Sequence, residues 1–240
     1  KTLGLKEGEA IIHPWISKAI EKAQSKVENR NFEIRKSLLK FDDVMNDQRS
    51  VIYTQRKEIL NQENSYDFFL ELMQDATYNI IDYTIAENEE NENYKVEVIK
   101  EIKNNIGLVL NEIKASDKEK IKTEIISIVK DNLEKKINKI GIENFNIILK
   151  QLIIQVLDQQ WKQHLLALDN LRQGIGLRAY AQRDPLNEYK REAFSMFENM
   201  MDSIRTLTTR LIIQIEFKEE VSQKSKNTNY RERLRKKPNN

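Results

Sequence analysis

From Trp15 to about Leu60 the chain runs without one glycine or proline. Helix breakers are missing throughout, and apolar residues return every three or four positions. The seam is Val27, Asn31, Ile34, Leu38, Phe41, Met45, Gln48, Ile52, Gln55 and Ile59, the spacing of a heptad. Pro14 just ahead suits the first turn of a helix, where its missing N–H costs nothing. A helix of about 45 residues is about 68 Å long. No single compact core can surround such a rod, so it must be a spine for several bodies or half of a coiled coil. The polar seam members Asn31, Gln48 and Gln55 weaken the coiled-coil alternative.

Composition supports helices elsewhere too. Six glycines and three prolines in 240 residues, alongside abundant Lys, Glu, Leu and Ile, disfavour a turn-rich sheet fold. The expected class is all-α. With no cysteine, disulfide scaffolds and thiolate metal sites are excluded. The formal charge of +2 makes a general polyanion binder a poor fit. No apolar run approaches the roughly 20 residues that span a bilayer, so a soluble or membrane-peripheral chain is expected. The opening on Lys1, followed by TLGLKEGEAIIHP, suggests a piece of something larger.

After NQENS at 61–65, Phe69, Met73, Ala76, Ile80 and Tyr83 form one stripe, widened by Tyr66, Phe68, Leu72 and Ile81. ENEENENY at 87–94 is an acidic loop. Helical patterns resume at about 95–114 and 117–140, with breaks near Gly107 and Gly141. Residues 61–145 therefore form a small helical module. Beyond it, Ile154, Leu157, Trp161, His164, Leu168, Leu171 and Ile175 make one seam. Phe194, Phe197, Met201, Ile204, Thr208, Leu211 and Ile215 make a second. GLRAYAQRDP and the polar NEYK join them, giving an antiparallel helical hairpin. Residues 218–240 lose periodicity and carry eight Lys or Arg against three Glu, a basic tail that could grip nucleic acid or anionic lipid.

Chemistry-bearing motifs are few. GxxxxGK, GxSxG and HExxH do not occur, and His13 and His164 are the only histidines. His164 lies on an apolar seam beside Trp161 and is expected to be packed. In FDDVMND, Asp43 and Asp47 share a helix face, but no second acidic motif completes a magnesium site, and solvated or ion-paired carboxylates are expected. Arg49 and Arg56 on the same helix are candidate interdomain anchors. The hairpin tip is different in kind. Arg172, Arg178, Tyr180, Gln182 and Arg183 gather ring, amide and guanidinium groups suited to sequence-tolerant contact. Gly174 and Gly176 would loosen the helix end or allow close approach.

Two stretches carry a resemblance. GLKEGEAIIHPWISKAIEKAQSKVENRNFEIRKSLLKFDDVMNDQRSVIYTQRKEIL and WKQHLLALDNLRQGIGLRAYAQRDPLNEYKREAFSMFENM together cover about 40% of the chain. They resemble the C-terminal half of the SecA family, the ATP-driven motors of bacterial preprotein translocation. The resemblance implies that 1–13 trail from the second nucleotide-binding domain and 14–60 form the long helix of the helical scaffold. Residues 61–145 would be the helical wing, 146–217 the two-helix finger of the scaffold and 218–240 a basic linker.

It further implies that Tyr180 touches the translocating chain, with the tip at the mouth of the SecY channel, and that Arg35 helps couple the scaffold to the ATPase domains. Trp15 and Trp161 match family tryptophans near the scaffold ends. The implied partners are the nucleotide-binding and preprotein-crosslinking domains, SecY and unfolded preproteins, on the cytoplasmic face of the inner membrane. ATP and Mg²⁺ would serve motifs upstream, with no cofactor held by these residues. The zinc-binding segment that ends many members is absent after KKPNN. Two other classes remain: a coiled-coil scaffold pairing through Val27–Ile59, and a nucleic-acid binder led by the tail.

Overall fold

A computed structural model describes residues 14–62, 64–88, 93–176 and 184–217. Among these the chain is all-α, with six helices and no strand. They are α1 (Pro14–Asn61), α2 (Ser65–Glu87), α3 (Tyr94–Ile106), α4 (Lys118–Ile140), α5 (Ile142–Ile175) and α6 (Pro185–Gln214). The glycine-free run is thus one helix of 48 residues, with Pro14 as its first. Two compact units divide the chain. Of the described residues, one gathers 14–52 with those of 165–197; the other gathers those of 53–164 with 198–217.

In the second unit, α2 buries Phe69, Met73, Ala76, Thr77, Ile81 and Thr84. The expected stripe holds at its start and then turns: Tyr83 is 64% exposed, while Thr77 and Thr84 enter the core. Two threonines can do so because each hydroxyl donates to the carbonyl four residues back, Met73 O and Ile80 O, both at 2.7 Å. Asn64 caps the helix by accepting from the Tyr66 N–H.

Helix α3 ends at Ile106, at the break expected near Gly107, and the helical pattern does not resume up to 114. Gly107 adopts φ 75° and its N–H returns to Lys103 O, a left-handed cap. The next residues are not helical; they bury Leu108, Leu110 and Ile113 and expose Val109. Glu124 on α4 holds this segment by accepting from the N–H groups of Ala115 at 2.9 Å and Lys114 at 3.2 Å. Those backbone donors keep its carboxyl below the usual carboxylate range.

Helix α4 is tied to α2 by Lys122, whose Nζ lies 2.8 Å from Asp82 and 3.0 Å from Glu119, over the Tyr78 ring. Gly141 then turns the chain with φ 80° and ψ 152°, so α4 and α5 meet at a bend of 114°. No single described helix is long and apolar enough to cross a membrane.

Helix α5 starts at Ile142, well before the seam that announces it, and buries Phe145, Leu149, Ile153, Val156 and Leu157. Phe145 takes edge contacts from Tyr66 and Phe217. The α6 face differs in part from expectation. Ile204 and Thr208 are buried as expected, but Phe194 is 61% exposed and Leu211 41% exposed, and Tyr189, Ala193, Met200 and Ile212 are buried instead. NEYK is also helical, since α6 begins at Pro185. Asp184 precedes it as a cap, accepting from the Leu186 N–H at 3.1 Å.

Candidate functional site: the junction of α1 with the helical hairpin

The first unit is built where α1 meets the facing parts of α5 and α6. Leu168 and Ile175 of α5 and Tyr189 and Ala193 of α6 form its buried core. Phe41, Val44 and Met45 of α1 pack against that core together with Leu171. Tyr189 is only 2% exposed, and its ring meets Phe41 edge-on at 5.0 Å with planes 77° apart. Burying a ring of this size contributes roughly 1.5–3 kcal/mol. Ala193 is wholly buried, and its small side chain lets α1 come close to the α6 backbone.

Two polar ties cross the same junction. Gln48, in the buried seam of α1, donates from Nε2 to Ala193 O at 3.1 Å. Arg172 bridges two acids: Nη1 lies 3.2 Å from Asp42 on α1, and Nη2 lies 2.9 Å from Asp169 one turn back on α5. Asp169 also accepts from Gln173 at 2.8 Å. Burial pushes the Tyr189 phenol up, an effect Arg172 opposes and Asp42 and Asp169 reinforce. The ring therefore packs beside the charged cluster.

The candidate residues divide sharply. Tyr180, Arg178, Gln182 and Arg183 lie outside the described residues, which resume at Asp184. Arg172, a candidate of the tip group, lies in α5 and ties it to α1. Gly174 lies in α5, and a Cβ there would meet nothing within 4 Å among the described residues. Arg35 is exposed on α1. Arg49 donates to Asn46 within its own helix at 3.3 Å. In the second unit Arg56 reaches α5 and grips Asp158 through two hydrogen bonds of 3.0 and 3.3 Å. Of the FDDVMND acids, Asp42 is ion-paired while Asp43 and Asp47 are exposed. Trp161 and His164 are buried, with ring centres 5.6 Å apart, and burial holds the imidazole below its usual pKa.

Sequence patterns missed Gln48 and Tyr189 as contact residues. Gln48 looked like a flaw in a heptad, and Tyr189 like part of a polar connection. A signal for the second was present: Asp-Pro at 184–185 marks a helix start, which places Tyr189 one turn inside.

Among the described residues, the first half of the α1 seam is exposed. Val27, Ile34 and Leu38 are 57%, 49% and 48% exposed, and Trp15 is 81% exposed. From Phe41 onward, among the described residues, the seam packs against the hairpin core.

Residues 10–216 match the family described as SecA Wing and Scaffold domain. The chain belongs to the SecA family. It is 43% identical over 220 residues to a protein translocase subunit SecA of Acidiphilium cryptum, covering 89% of this chain and 24% of that protein. It is 42% identical to the corresponding subunit of Granulibacter bethesdensis, covering 90% and 24%. Against protein translocase subunit SecA 1 of Magnetococcus marinus it is 42% identical, covering 90% and 25%. The chain thus spans about a quarter of these curated relatives. Its helices are those of the SecA wing and scaffold.

Proposed function

We propose that this chain is the wing and scaffold part of an ATP-driven motor that pushes unfolded preproteins through the SecY channel. Residues 146–217 act as the two-helix finger, and its tip at 177–183 presents Tyr180 to the moving polypeptide. Residues 61–145 are the wing, and 14–60 the long scaffold helix that carries motion from the nucleotide-binding domains. ATP and Mg²⁺ are handled outside these residues. The motor works peripherally on the cytoplasmic face of the inner membrane, where the basic tail meets anionic lipid.

The observation that carries this proposal is the family match over 10–216, taken with the polar and aromatic ties that fasten the hairpin to α1. A hairpin held by its helices can deliver force through its tip, and a tyrosine can grip mixed side chains and backbone without demanding a sequence. Arg35, exposed on α1 beside the exposed stretch of seam, is available to the ATPase domains. The test is preprotein transport by the full-length protein carrying Tyr180→Ala, in vesicles containing SecY. Transport should fall several-fold while ATP binding persists. Unchanged transport would remove the tip from the mechanism.

A further inference from the structure

We propose that Asn146 and Lys150 on α5 are positioning residues that clip the corner between α1 and α2, so that the two helix ends hold or yield as one unit. Only residues 62–64 separate α1 from α2. The corner brings together two kinds of orphan backbone group. The last carbonyls of α1 meet no helical N–H, and the first N–H groups of α2 meet no helical carbonyl. Helix α1 does little for its own end: its last turn holds no basic residue, and Gln62 rather than a glycine follows it.

Helix α5 supplies both kinds of partner. Lys150 donates from Nζ to Leu60 O at 3.1 Å and to Gln62 O at 2.7 Å, setting a positive charge at the negative end of the α1 dipole. One turn earlier, Asn146 Oδ1 accepts from the Tyr66 N–H at 2.9 Å, closer than the local cap Asn64 at 3.2 Å. Residues four apart on a helix are neighbours on its surface. A single turn of α5 therefore holds the carbonyl end of one helix and the amide start of the next. Phe145, beside Asn146, meets the Tyr66 ring edge-on at 6.2 Å, so the start of α2 is seated on the same stretch of α5. Loss of either tie leaves backbone groups unpaired, and a three-residue link is short enough to pass that loss to the other helix end. Under the function proposed above, this corner is where the wing leaves the long helix, and the clip makes α2 follow the end of α1. That consequence rests on that reading; the clip itself does not.

Amide hydrogen exchange on the 240-residue chain, resolved residue by residue by nuclear magnetic resonance, tests the clip. Lys150→Met keeps the stem and removes the donors. It should speed exchange about ten-fold at Asn61 and Gln62, and also at Tyr66, which Lys150 does not touch. Asn146→Ala should speed exchange at Tyr66 and, across the corner, at Gln62. Met73 and Ile81, buried in α2, should keep the parent rates in both variants. Lys150→Arg keeps the cation and Asn146→Asp keeps the acceptor, and both should exchange like the parent. Acceleration confined to the helix end that the substituted side chain touches overturns the clip. Equal acceleration at Met73 and Ile81, the mark of a general loss of stability, overturns it as well. Should Lys150→Met fail to fold, Asn146→Ala decides alone through Gln62. No transport is measured, so failure of the proposed translocation role would leave the result unaffected.

Discussion

Gln48 donates to the carbonyl oxygen of Ala193, 3.1 Å away, from a helix seam whose neighbouring contacts at Phe41, Val44 and Met45 are apolar. A heptad with a glutamine in it looks imperfect as a coiled coil. In this chain the glutamine is a specific tie to another helix, 145 positions further on. The coiled-coil alternative would use the same seam for a second copy; the structure commits its C-terminal half within the chain.

Glycines at three positions should respond differently to alanine. Gly107→Ala should destabilise by about 1–2 kcal/mol, because its left-handed backbone disfavours a Cβ. That Cβ would also lie 2.8 Å from Gln214 Nε2, which must shift. Gly141→Ala should cost about 1–3 kcal/mol from its extended positive-φ conformation alone, since space there is open. Gly174→Ala should stabilise by about 0.5–1 kcal/mol as a helical position in open space. Urea unfolding of the three variants checks the order.

Stability should fall as pH drops below about 6.5 through His164. Burial keeps its folded pKa below the unfolded value, so above that pH both states are neutral and nothing is lost. Below it the unfolded chain takes the proton first, and folding weakens until the folded pKa is passed. His164→Gln should flatten this part of the profile. Asp82, held down by Lys122 and Lys118 against the upward pull of burial, acts separately: its contribution is present above about pH 3.9 and lost as pH falls through its folded pKa. Chemical denaturation at half-unit pH steps separates the two.

Arg56→Ala should reduce thermal stability only slightly, with the difference shrinking as salt is raised. The Arg56–Asp158 contact is bidentate, but both side chains are largely exposed, 40% and 49%. Arg56→Lys should behave almost like alanine, since an ammonium cannot make the paired fork. Melting curves at low and high salt check both.

Helix existence was legible along most of the chain, and for a simple reason. Where glycine and proline are absent and apolar residues step by three and four, α1 and the second half of α5 had no competing fold. Faces were less legible. On α6, Ile204 and Thr208 belong equally to a stripe through Phe197 and Met201 or to one through Met200, Ala193 and Tyr189. Packing chose the latter, leaving Phe194 at the surface. Hydropathy also hides Thr77 and Thr84, whose hydroxyls satisfy themselves on their own helix. At the junction, Arg172 stood out as a basic residue on the hairpin, but its partner Asp42 lies 130 positions away. No local pattern links the two.

The central claim, that residues 177–183 meet a translocating polypeptide, is tested most directly by crosslinking. A photoreactive phenylalanine analogue replaces Tyr180 in the full-length protein, and a preprotein is stalled in SecY-containing vesicles with ATP. A second protein carries the analogue at Leu166, exposed on α5, as the control. A preprotein adduct from position 180 that exceeds any from position 166 is the predicted result. Equal yields from both positions, or none from position 180, would contradict the claim.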